Sequence, residues 1–149
     1  MIRNRVLQVA LAVLIAGAGS SRADLKQAIA EPNLEKRSKL ALENAEAAYK
    51  AIRAAYDKGE TEQVTAAAKE LEESVELADA SLRQTGKVPR NSPKYFKAAE
   101  IATRDLVRKL ESFQKGMSFD DRPLLEQTKK KVQQVHDGLL VALMEGKHK

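Results

Sequence analysis

The sequence predicts an all-α protein: an antiparallel up-down four-helix bundle, built from two αα-hairpins, behind an N-terminal signal peptide. Three observations carry that expectation. Apolar residues recur at steps of three and four along four consecutive runs, the spacing that gathers them on one helical face. Glycine and proline fall between the runs, where helices end and begin. No stretch shows the apolar–polar alternation of a half-buried strand.

The chain opens with Arg3 and Arg5, an apolar run over residues 6–18, and the small-residue context Ser21-Arg22-Ala23. That run is short for a bilayer span, which needs about 20 apolar residues. It reads as an export signal cleaved after Ala23, leaving 24–149 as a single helical-bundle domain in the periplasm or outside the cell. Residues 24–31 read as a short helical or frayed lead-in.

The first long helix is expected at about 33–58, after Pro32-Asn33. Its stripe is alanine-rich, Ala41, Ala45, Ala48, Ile52 and Ala55, flanked by Leu42, Tyr49 and Tyr56. The second, about 61–85, carries Val64, Ala68, Leu71, Val75, Ala78 and Leu82. A linker, Lys87-Val88-Pro89-Arg90-Asn91, leads to Ser92-Pro93, an N-cap residue followed by proline in the first turn. The third helix, about 92–115, shows Phe96, Ala99, Thr103, Leu106, Leu110 and Phe113. Ser118 and Asp121 offer a capping signal and Pro123 an early proline for the fourth, about 119–145, with Leu125, Thr128, Val132, Val135, Leu139 and Ala142. Gly59, Gly86, Gly116 and Gly146 follow the four runs as left-handed C-caps would. Leu71, Val75, Leu106, Leu110, Val132, Val135 and Leu139 are the expected core. Tyr56-Asp57-Lys58-Gly59 and Phe113-Gln114-Lys115-Gly116 end the first and third runs alike, but an aromatic, a lysine and a glycine are ordinary at a helix C-terminus.

The 149 residues include no cysteine, so neither disulfides nor thiolate ligands are available. The formal charge of +5 includes Arg3, Arg5 and Arg22 of the signal, with no acid among residues 1–23. The small balance that remains argues against nucleic acid as a partner. Lys94-Tyr95-Phe96-Lys97 mixes bases with aromatics, yet Phe96 belongs to the core stripe.

Candidate chemistry is sparse. His136 sits at the margin of its stripe and reads as a boundary residue rather than a ligand. Glu145 and His148 have Glu-x-x-His spacing, but a di-iron bundle needs two such motifs facing inward. Met117 and Met144 are poorly placed to oppose His136 across a haem. Ser74, Ser81 and Ser112 lack a histidine at a known offset, and no nucleophile elbow, phosphate loop or zinc motif occurs. Glu70, Glu72, Glu73 and Glu76 read as a solvated face, as do Lys129, Lys130 and Lys131. No enzyme, metal or cofactor is expected.

Charge supplies the one functional lead. Residues 60–85 hold seven acids and two bases, while residues 86–116 hold eight bases and three acids. Consecutive helices, taken as neighbours, would then pair acidic with basic. Alternating helix directions gather Lys36, Arg37, Lys39, Arg83, Lys87, Arg90, Lys94 and Lys97 at one end, with Lys147 and Lys149 of the tail. The function this favours is a non-enzymatic exported binding module whose basic end contacts an anionic envelope component or a protein, with peripheral membrane contact. The alternative is a small-ligand or metal-binding bundle.

Overall fold

A computed structural model describes residues 20–145. The N-terminal arginines and apolar run, Gly146, Lys147, His148 and Lys149 lie outside the described residues. The described chain is helical, with no strand: α1 (Ser20–Ala30), α2 (Leu34–Asp57), α3 (Thr61–Gln84), α4 (Pro93–Gly116), a 3-10 segment (Phe119–Leu125) and α5 (Glu126–Met144).

The helix ends show how local sequence sets the layout. Asn33 caps α2, its Oδ1 accepting the Lys36 backbone N–H at 2.9 Å. Beyond α2, Gly59 takes φ +71°, its N–H donates to the Tyr56 carbonyl, and the Glu60 N–H donates to Ala55. This doubly bonded reversal requires a left-handed residue, and glycine adopts that conformation without steric cost. Gly86, at φ +67°, turns the chain out of α3. Gly116 does not act this way. It remains in α4, and Met117 leaves in an extended conformation with its side chain buried.

Two other start signals also act differently from expectation. Ser92 and Ser118 make no side-chain bond to a helix N–H. The Ser118 hydroxyl instead donates to Asp121, which also accepts from the Tyr56 hydroxyl, while Tyr56 accepts the Ser118 N–H. Pro123 lies inside the 3-10 segment, and the α-helix begins only at Glu126, in keeping with the clash of a proline ring with helical geometry at the preceding residue.

Cross-contacts give the helix directions. Lys87 pairs with Glu35 and Asn44 bonds Ser74, so α2 and α3 are antiparallel. Glu100 meets His136 and Gln114 meets Glu126, so α4 and α5 are antiparallel too. Glu46 with Lys109 and Tyr56 with Phe113 make α2 and α4 parallel neighbours. Glu72 with Thr128 and Glu76 with Lys131 make α3 and α5 the second parallel pair. The ring therefore runs α2, α3, α5, α4. Helices α3 and α4 touch only lightly across its diagonal.

The expected acidic–basic pairing of these consecutive helices is thus replaced. The Glu76 carboxylate on α3 finds Lys131 on α5, and Lys109 on α4 finds Glu46 on α2. Hydrogen bonding to Glu76 holds the Lys131 ammonium above its ordinary value of 10.5.

The core contains Leu71, Val75, Leu106, Leu110, Val132, Val135 and Leu139, all buried, with Ile52, Val64, Leu82 and Leu125. The lead-in is a docked element. Ala28 of α1 is fully buried against Ala41 and Ala78, closing a second small apolar cluster on the α2/α3 hairpin. Glu70 departs from the solvated face expected of it. It is 7% exposed beside Asn44, whose Nδ2 donates to Ser74 at 2.9 Å and reaches Glu70 at 3.5 Å. No described helix is long and apolar enough to cross a membrane.

Candidate binding surface

The candidate site follows from what α2 and α4 present to each other along their parallel seam. At one end both helices offer large rings. Phe113 meets Tyr49 and Tyr56 edge-on, with centroids 6.4 and 5.6 Å apart. At the other end the facing residues include Ser38, Ala98 and Ala102, too small to fill the gap. A groove of about 720 Å³ is left there, lined by Leu42, Tyr95, Ile101 and Leu106 along with the small residues. Its lining is mostly apolar, and Ile101, 47% exposed, opens onto it. The volume lies within the range of about 300–1,000 Å³ usual for small-molecule sites.

The rim is charged and graded along the groove. Towards the closed end, Glu46 neutralises Lys109, and Asp105 joins the wall. Lys39 stands at the limit of ion pairing with Glu43, at 4.0 Å. Lys94 lies 5.4 Å from the centroid of Tyr95. Because α2 and α4 are parallel neighbours, their N-termini emerge side by side at this mouth. Each carries the positive end of a helix dipole, and the first turn of α4 holds no acid.

The eight cations expected at the basic end divide into two sets. Lys36 pairs with Glu31 at 3.2 Å, and Arg37 donates to the Glu31 carbonyl at 2.8 Å, so both hold the turn between α1 and α2. The Glu31 carboxyl is held below its ordinary 4.5, first by the Asn33 N–H and then by Lys36. Arg83 pairs with Asp79 on its own helix, and Lys87 pairs with Glu35. Three of these four thus have carboxylate partners, and Arg37 has the Glu31 carbonyl. Arg90 and Lys97 have no carboxylate partner among the described residues, Lys94 has only its aromatic neighbour, and Lys39 is weakly engaged. Lys39 and Lys94 share the groove mouth.

Sequence reasoning missed Ala98, Ala102 and Ile101, and met Tyr95 only within the run Lys94-Tyr95-Phe96-Lys97. The available signal was a pair of alanines four apart, next to an isoleucine off the core stripe.

A second cluster surrounds His136. Its Nε2 lies 3.0 Å from Glu100 Oε1 and its Nδ1 3.3 Å from Asp137, while Arg104 reaches Glu100 at 3.4 Å. The imidazole thus bridges α4 and α5 within a cluster of opposite charges. Among the described residues, no group of histidines and carboxylates is arranged to hold a metal ion.

Neither Lys129 nor Lys131 lies on a free face. Lys129 donates to Gln114 and pairs with Glu126, whose carboxyl is held below 4.5 by Gln114 first and Lys129 second. Compared with known proteins, this chain matches no family model, no curated protein and no solved structure.

Proposed function

We propose that this chain is an exported, non-catalytic binding protein that engages an anionic component of the cell envelope at the α2/α4 end of the bundle. The carrying observation is the set of cations without carboxylate partners among the described residues at one place: Arg90, Lys94 and Lys97, beside paired helix N-termini. Elsewhere at that end, Glu31, Glu35 and Asp79 already neutralise their partners. The N-terminal arginines and apolar run support export. An anionic lipid surface fits this pattern, since each basic residue near such a surface contributes about 1 kcal/mol.

The test is cosedimentation with vesicles containing phosphatidylglycerol, at low and high salt. Wild-type protein should bind at low salt and release as salt rises, because screening acts beyond about 8 Å at physiological ionic strength. Replacing Arg90, Lys94 and Lys97 by glutamine should remove most of the binding. Arg37 is left intact because it holds α1. Lys58→Gln with Lys115→Gln, at the opposite end, is the matched control. Equal binding by all three proteins would overturn the reading. N-terminal sequencing of exported protein should find Asp24 first, and a mature chain beginning at Met1 would remove the compartment from the proposal.

A further inference from the structure

We infer that the α2/α4 groove binds a single-chain anionic amphiphile, a long-chain fatty acid, with its carboxylate at Lys39 and Lys94 and its alkyl chain along Leu42, Ile101 and Leu106. This deepens the reading of an anion-binding end and rests on it for the biological setting alone.

Two independent features converge. The groove is an apolar trough with a buried floor at Leu106 and small residues, Ala98 and Ala102, where the ring packing of the seam stops. Its polarity is graded: Lys39 and Lys94 stand at the mouth, Lys39 with Glu43 at 4.0 Å, while Asp105 and the Glu46–Lys109 pair lie towards the closed end. A fatty acid has the same gradient, an anionic head on an apolar tail. A neutral apolar ligand would leave the mouth cations unused. An inorganic anion would leave the trough unused. Lysine suits the head contact because its aliphatic stem can lie along apolar surface while the ammonium stays at the rim. A buried alkyl chain supplies the affinity, at up to about fourfold for each methylene removed from water.

The experiment is calorimetric titration of the full protein with decanoate and laurate, below their micelle concentrations, backed by displacement of a fluorescent fatty acid. Laurate should bind more tightly than decanoate, by about two- to fourfold per added methylene. Ala102→Phe should fill the trough and weaken laurate binding at least tenfold. Ile101→Gln gives a second reading of the trough should Ala102→Phe misfold. Lys39→Gln with Lys94→Gln should weaken laurate by about three- to tenfold, the range for two exposed ionic contacts, and leave dodecanol binding unchanged. Arg90→Gln with Lys97→Gln should reduce vesicle binding while sparing laurate. Failure of wild-type protein to bind laurate would overturn the inference, as would indifference of binding to both trough variants or to chain length. Vesicle binding without laurate binding would leave the surface reading standing alone, and laurate binding without vesicle binding would do the reverse.

Discussion

The two halves of the α2/α4 seam are made by the same pair of parallel helices and differ in what fills them. In the closed half, Tyr49, Tyr56 and Phe113 interlock edge to face, and Tyr56 reaches across to the Ser118 N–H and Asp121. In the open half, Ser38, Ala98 and Ala102 leave a trough. Helix spacing is set by the bulkiest contacts along a seam, and small residues elsewhere cannot draw the backbones together once rings hold them apart. Rings fill the closed half, and small residues leave the open one unfilled. At the closed end Asp121 accepts from two hydroxyl donors, while at the open end Arg90 and Lys97 have no carboxylate partner among the described residues.

The largest effect that bears on this contrast comes from the two leucines of α4. Leu110 is fully buried and Leu106 is 1% exposed, but Leu106 also floors the trough. Leu110→Ala should cost about 3–5 kcal/mol and Leu106→Ala about 2–3 kcal/mol, since space opened at Leu106 joins the trough instead of forming a sealed cavity. Urea denaturation of both variants would check the order, and a larger loss at Leu106 would erase the distinction between halves.

A smaller effect is expected from adding bulk. Ala99 is fully buried on the core face, whereas Ala102 lines the trough. Ala99→Leu should overpack and cost about 1–3 kcal/mol. Ala102→Leu should stay within about 0.5 kcal/mol of wild type, as for a surface change. Paired thermal melts would decide between them, and equal losses would mean that the trough is already filled.

The smallest effect is that of acid. Glu31 holds the α1–α2 turn at the open end, and Glu126 holds Gln114 and Lys129 at the closed end; both carboxyls titrate below 4.5. Each native carboxyl binds its proton more weakly than the unfolded one. The stability it contributes is therefore present above pH 4.5 and is lost as pH falls through the native value. Denaturation midpoints between pH 6 and pH 3 should fall slightly less steeply in Glu31→Gln and in Glu126→Gln than in wild type. An unchanged acid limb in both would show that neither carboxyl takes part.

Much of the fold is legible in the sequence, because a stripe at steps of three and four identifies both a helix and its buried face. Leu71, Val75, Leu106 and Val132 are found by that rule, and Gly59 and Gly86 by the demand of their turns. Three features escape it for physical reasons. Ala28 contributes too little hydrophobicity to mark α1 as a packed helix. Glu70 lies beside Leu71 at the edge of its stripe, and its burial depends on Asn44 and Ser74, which only the hairpin brings together. Ring order escapes because the net charge of a helix does not say which of its faces carries the charge, so acidic α3 and basic α4 look like partners and sit diagonally. The candidate site is half legible. Its cations are visible as a cluster, but which of them Glu31, Glu35 and Asp79 neutralise depends on geometry, and the trough is defined by missing bulk.

The Asn44–Ser74 bond has a further consequence, for folding. The seam between α2 and α3 is lined on the α2 side by Ala41, Ala45 and Ala48, similar methyl groups at similar spacing that resist sliding very little. A hairpin displaced by one turn would keep most of that alanine packing and the Ser74 bond to the Glu70 carbonyl, yet it would carry the Asn44 amide away from Ser74 and leave that buried donor unpaired, at about 1–3 kcal/mol. This polar layer acts with the Gly59 reversal and the Glu35–Lys87 pair to hold the native alignment, and Asn44→Ala would weaken that preference for one register.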